Sequence, residues 1–221
     1  DWCLCFVRTD PDLPKHKGIS ALLIDTTAPG VERRPFPELS EPDFCDFNEV
    51  FFTDVRVPVA NLIGPLNGGW PITQGSLAHE RAMLWITYAY DLQRAVQALV
   101  ELGNRPAVGG GRVGDDPRFR DAVAGFHVDA QALLAMGYRG FSKFLAGRSA
   151  PEHSLLKLYG SEALQKALLF GTEALGPDEI DDDFTGPQMW REGSWAVQYL
   201  RSFADRKSTR LNSSHVSEFR M

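Results

Sequence analysis

The chain has 221 residues, 43% of them apolar and 24% charged, and its 23 Lys and Arg against 29 Asp and Glu leave a net charge of −6. That is enough chain for one large domain or two small ones around a real core, and the composition excludes a disordered polymer. No apolar run approaches the ~18–20 residues of a membrane span, and the basic residues are scattered, which excludes the electrostatic footprint of a nucleic-acid binder.

The first third reads as β-structure. The chain opens on DWCLCFVRTD, a strand pattern with no leader before it, so the sequence is expected to be a piece of a longer protein. Runs rich in β-branched and aromatic residues over 3–8, 19–26, 31–36 and 47–57 predict strands, with turn signals in DPDLPKHKG, TTAPG and PELSEP between them. In NEVFFTDVRV the near-alternation of Val50, Phe52, Val55 and Val57 breaks at Thr53-Asp54, where a bulge or turn is expected. Strands at this spacing suggest an antiparallel barrel or sandwich.

After the Gly/Pro-rich LIGPLNGGWPI the period becomes helical. Leu77, Leu84, Tyr88, Leu92, Ala95 and Leu99 predict one long helix over 74–102, widened by Trp85, Ile86, Val96 and Val100 and closed by Gly103. NRPAVGGGRVG is a loop. Asp116-Pro117 opens a second helix to about 145, Pro151 a third to about 175, and residues 188–205 form a fourth segment carrying Trp190, Trp195, Tyr199 and Leu200. Helices joined this way imply an antiparallel four-helix-type bundle. The expected fold is α+β: a β-domain segment over 1–63, a connector over 64–73, a helical domain over 74–205, and over 206–221 a polar tail that resembles translated sequencing-adapter read-through. That tail is expected to be disordered.

General catalytic motifs are missing: no G-x-S-x-G, H-E-x-x-H, Walker loop or strand-borne G-x-G-x-x-G occurs. Cys3-x-Cys5 has no His nearby to complete a metal site and reads as a packing pair; with Cys45 it makes three cysteines, too few for a disulfide framework, which points to a reducing, cytoplasmic compartment. Gly109-Gly110-Gly111 lies between helices and reads as a flexible loop, and Asp181-Asp182-Asp183 as a solvated one. Glu80, in HERAMLW, has two readings. It is either a carboxylate desolvated among bulky aromatics, with the raised pKa that suits a general base, or a first-turn Glu that complements the helix dipole with Arg81 as its partner.

DFNEVFFTDVRVPVANLIGPLNGGW followed by LAHERAML resembles the acyl-CoA dehydrogenase family, whose middle β-domain ends in F-x-x-V-x-V-P, then N-L-(I/L/V)-G, then N-x-G-W before the first helix of a C-terminal bundle. Phe52, Val55, Val57, Pro58, Asn61, Leu62, Gly64, Asn67, Gly69 and Trp70 match in order. Upstream, KGISALLIDTTAPGVERRP is similar to the family's K-G-I-S and P-G-V-x-x-R-P; downstream, KLYGSEALQKALLFGTEALGP and YLRSFAD resemble later bundle helices. The resemblance covers about residues 2–205. It implies an FAD-dependent enzyme that oxidises an acyl-CoA thioester to the trans-2-enoyl-CoA and passes electrons to an electron-transferring flavoprotein, as a homo-oligomer (dimer or tetramer) or a hetero-oligomer with a homologue. Leu77-Ala78-His79-Glu80-Arg81 matches the L-x-x-E-R of members that carry the base on the first bundle helix, which implies Glu80 as the α-proton base.

Departures are equally plain. The family's N-terminal helical domain and the W-(I/V)-(T/S) segment of its middle domain are not in the sequence. The pyrophosphate motif R-x-x-F-G is replaced by NRPAVGGGRVGDDPRF, where Arg105 or Arg112 would substitute. Q-x-x-G-G-x-G reads Glu173 to Glu179, keeping only Gly176. After Asp205 the family's G-G-T-S-E-I-Q does not follow. Those departures fit a truncated, inactive chain or a non-catalytic subunit of a heteromeric assembly; an acyl-CoA oxidase-like or nitroalkane oxidase-like flavoenzyme is the other alternative.

Overall fold

The computed structural model describes residues 2–37, 45, 47–107, 109–148, 150–176 and 194–209. They group into two compact units, one ending at His79 and one beginning at Glu80.

In the first unit β1 (Trp2–Arg8) pairs antiparallel with β2 (Ile19–Asp25) in the register Trp2↔Asp25 to Arg8↔Ile19. β3 (Val31–Phe36) and β4 (Phe47–Phe52) form a second antiparallel pair. β4 stops where the pattern breaks, because Asp54 takes a φ of 51° that a strand cannot continue through. A strand absent from the sequence reading, β5 (Leu62–Ile63), adds to the edge of β2 with Ile63 opposite Ala21. Two residues carry no period, so the connector hid it. The described strands therefore make one three-stranded and one two-stranded antiparallel sheet. Cys3 and Cys5, two apart, share one face of β1 as half-buried free thiols; burial, with Cys3 adding to it, pushes the Cys5 thiol up to about 11.

Helix α1 spans Gly69–Gly103 and starts five residues before its predicted first residue, Gln74. Pro71 misled the boundary, although a proline in the first turn forfeits no intrahelical bond. The helix start is tied to β2 by polar contacts. Thr9 Oγ1 donates to Asn67 Oδ1 at 2.6 Å and lies 2.7 Å from Ser20 Oγ, and Asn67 N donates to Ser20 Oγ at 2.8 Å.

The second unit holds the rest of α1 with α2 (Pro117–Leu145), α3 (Glu152–Leu175) and α4 (Trp195–Thr209). Asp116 caps α2 by accepting from Arg118 N at 2.8 Å, the role its place before Pro117 predicts. α4 runs four residues past the expected end at Asp205, while residues 188–193, the Asp181–Asp183 run and the tail from 210 onward lie outside the described residues. The stripe on α1 is the core: Trp85, Leu92, Ala95 and Leu99 pack with Leu133 of α2, Leu156 and Leu168 of α3 and Trp195 of α4. Val100 is an exception at 47% exposure, because it lies over a surface cavity. Between α1 and α3 the approach is close: a Cβ at Gly160 would stand 2.7 Å from Tyr88 Cβ.

The α2–α3 corner carries a titratable cluster. Glu152 pairs with Lys143 and, at 3.5 Å, with Arg139, and its carboxyl is held below the usual range chiefly by the Lys143 hydrogen bond. His153 beside it is 5% exposed, edge-on to Phe144 and against Gly140, and desolvation lowers its pKa below the usual 6.5 despite the Glu152 charge. The unfolded chain therefore takes up this proton first. Stability from the neutral imidazole is complete well above pH 6.5 and declines as pH falls through that value toward the folded pKa. Urea midpoints measured from pH 8 to pH 5 should fall, and His153→Leu should flatten the fall; an unchanged slope would remove His153 as its source.

Candidate active site

Glu80 sits about three turns inside α1, so the dipole reading fails: the partial positive charge of a helix start is confined to its first turn. Trp85, the neighbouring aromatic in HERAMLW, is also turned away from Glu80. Trp85 is five residues on, about 140° round the helix at ~100° per residue, and is buried against Gly137 of α2. The Glu80 side chain is 45% exposed. Its partner comes from α3: Lys157 Nζ donates to Glu80 Oε1 at 2.9 Å, and the Lys157 side chain is only 8% exposed.

Lys157 is the residue the sequence reading missed. It belongs to a buried polar stripe on α3, His153, Lys157, Ser161 and Gln165, spaced by four on one face. Gln165 Nε2 donates to Ser202 Oγ of α4 at 3.2 Å. A K-x-x-x-S-x-x-x-Q series running along the side of α3 that also carries Leu156, Leu164 and Leu168 was the available signal, since a buried lysine requires a counter-charge.

The three candidate cofactor residues fall in two places. Arg105 and Arg112 lie on one loop after α1, closed by a bridge between Pro106 and Arg112 and by Val113 N donating to Arg105 O at 3.0 Å. Gly176 ends α3 with φ 60° and ψ −135°, a conformation that favours glycine, and the position of its missing Cβ is open. The residues after it, Pro177 to Glu179, lie outside the described set.

Beside Arg112 a cavity of about 580 Å³ opens between α1 and α2. Val96, Val100 and Phe119 line its apolar side, and Asn104, Arg112, Asp115, Arg120 and His127 its polar side. Arg120 is partly spent, donating Nη1 to Gly114 O at 2.8 Å and Asp115 O at 3.0 Å. The Asp115 carboxylate accepts from Arg112 N at 2.8 Å. Two guanidiniums beside an apolar wall match in kind a ligand that joins a ring to a phosphate, with the Asp115 carboxylate of the same lining opposing the phosphate; Arg105 does not line the cavity. Among the described residues no group of three His, Cys, Asp or Glu is arranged to hold a metal, and no helix is long and apolar enough to cross a membrane.

Comparisons with known proteins agree with this architecture. A family model for the acyl-CoA dehydrogenase C-terminal domain matches residues 67–195. Acyl-CoA dehydrogenase FadE26 of Mycobacterium tuberculosis (strain ATCC 25618 / H37Rv) is 32% identical over 184 residues, which cover 80% of this chain and 45% of that protein. The crystal structure of an acyl-CoA dehydrogenase from Geobacillus kaustophilus superposes with a TM-score of 0.82 at 20% identity, covering 96% of this chain and 54% of that one. The ChsE4-ChsE5 complex from Mycobacterium tuberculosis gives 0.75 at 28% identity, over 93% and 52%. The chain spans about half the length of each of these proteins.

Proposed function

Because the chain belongs to the acyl-CoA dehydrogenase family, we propose that it supplies the first-bundle-helix base and part of the cofactor site of an FAD-dependent enzyme that converts an acyl-CoA thioester to its trans-2-enoyl-CoA. The observation that carries the reading is Leu77-Ala78-His79-Glu80-Arg81 inside the matched region, with Glu80 on α1 and partly open to solvent. On this reading the sheets and helices belong to the antiparallel barrel and four-helix-type bundle of the family, with the domain limits given above.

When bound, FAD supplies the acceptor for the hydride from the β-carbon. The chain's own part is the proton. The thioester carbonyl acidifies the α-carbon, and Glu80, as a carboxylate with two acceptor oxygens, takes the α-proton on one of them. Exclusion of water around the bound thioester sharpens that transfer. Arg112, at the edge of the cavity between α1 and α2, would hold a phosphate of the dinucleotide, and Gly176, at the far end of α3, would let backbone approach the cofactor bound to a partner subunit. Electrons would then pass to an electron-transferring flavoprotein in the cytoplasm.

The test is anaerobic mixing of the gene's complete, FAD-loaded product with straight-chain, branched and steroid-side-chain acyl-CoA thioesters, read as loss of flavin absorbance. Bleaching by one class, with reoxidation by an acceptor protein, is the expected result. Rapid oxygen consumption would move the assignment to an acyl-CoA oxidase. A flavin that stays oxidised with every class would leave the second reading, a non-catalytic subunit paired with an active homologue. The similarity to a complex of two different chains, ChsE4-ChsE5, favours that reading over others.

A further inference from the structure

We infer that Lys157 is the positioning residue of the proton-abstraction step, holding the Glu80 carboxylate by one oxygen so that the other faces the substrate; the inference rests on Glu80 being the base.

The argument begins with Lys157. Its side chain is 8% exposed, and an ammonium out of water is tolerated only with a counter-charge and hydrogen-bond acceptors at hand. Glu80 provides both, 2.9 Å away and 77 residues distant in sequence. The two ends of the pair differ in freedom. Lys157 is fixed on the packed face of α3, between Leu156 at 0% and Ser161 at 3% exposure, whereas Glu80 is 45% exposed and has no comparable packing. The lysine is therefore the anchor and the carboxylate the group it restrains. A free surface Glu samples several rotamers, and ordering it within reach of a bound thioester costs entropy at each turnover. The ion pair meets that cost in the folded state. Its geometry depends in turn on the α1–α3 approach, which Gly160 permits by leaving room for Tyr88.

Engagement by Lys157 uses Oε1 only. Proton abstraction needs one carboxylate oxygen, so the two roles are compatible on one side chain.

The experiment compares E80Q, K157M, K157R and the double variant E80Q/K157M. Flavin reduction by acyl-CoA is followed in the complete FAD-loaded protein, and urea midpoints are measured on the 221-residue chain without cofactor. K157M is expected to lower the reduction rate ~10–100-fold with little change in acyl-CoA affinity. K157R should restore part of the rate, and K157M should add nothing to the residual rate of E80Q. The urea midpoints of E80Q and K157M should be non-additive.

A wild-type rate in K157M, with E80Q inactive, overturns the positioning role and leaves the base standing. Equal slowing by K157M in both backgrounds, or additive midpoints, also overturns it, because a lysine that merely supports the fold does not act through Glu80. Normal flavin reduction by E80Q removes the base and the inference together. Should K157M not fold, K157Q, which keeps a donor without the charge, is read by the same criteria.

Discussion

Glu80→Gln in the complete, FAD-loaded protein is expected to slow flavin reduction by acyl-CoA by about 10²–10⁴-fold, the contribution of a well-placed general base, while FAD stays bound. The substitution suits the question because it is nearly isosteric. The amide oxygen can still accept from Lys157 Nζ, so the α1–α3 contact survives while the proton acceptor is lost. A smaller stability loss should accompany it, since the 8%-exposed Lys157 then faces a neutral partner. Exposure of the carboxylate at 45% keeps that loss well below the ~3–5 kcal/mol of a fully buried pair broken on one side. Absorbance near the flavin maximum, followed after anaerobic mixing, separates the outcomes. Persistent fast bleaching would move the base elsewhere in the complete protein.

The parts of the fold that were legible are those whose signal is local. The α1 stripe repeats at the helical period, and of it Tyr88, Leu92, Ala95 and Leu99 are buried while Leu77 and Leu84 at its start are half-buried. Asp116-Pro117 names its own helix start, and Gly176 its own helix end. What escaped depends on partners distant in sequence. β5 exists only because β2 offers an edge to Leu62 and Ile63. Val100 continues the apolar pattern yet is exposed, since no later element covers it among the described residues. Glu80 was legible as a candidate through the L-x-x-E-R pattern, but its surroundings were not. Proximity in sequence to Trp85 suggested an apolar pocket, whereas the helix turns the two residues to different sides and brings Lys157 to the carboxylate instead. The site thus follows from a tertiary contact that no window along α1 contains.

Gly137→Ala should destabilise the helical unit strongly, against the usual sign of this exchange. In an open helix interior, Gly to Ala stabilises by about 1 kcal/mol through backbone entropy and helix propensity. At Gly137 the new Cβ would stand 2.1 Å from Trp85 Cε3 and 2.3 Å from Cδ2. Those are atoms of a rigid ring, not the end of a flexible chain. Trp85 is 3% exposed and packed edge-on to Tyr138 at 5.1 Å, so the indole has nowhere to rotate. Relief requires α1 and α2 to separate, and overpacking of this kind costs ~1–3 kcal/mol and occasionally more. Gly125 provides the internal control. It lies on the same helix, and a Cβ there meets nothing within 4 Å, so Gly125→Ala should raise the urea midpoint where Gly137→Ala lowers it. Both substitutions carry the same change in chain entropy, and only the contact with Trp85 distinguishes them. Shifts of the same sign would mean that α2 does not pack on Trp85 through Gly137. Opposite signs, with the Gly137→Ala loss relieved by Trp85→Leu, would place the indole in that groove. Trp85 lies five residues beyond Glu80 on α1, so the same groove fixes the rotation of the helix and with it the side on which the Glu80 carboxylate meets Lys157.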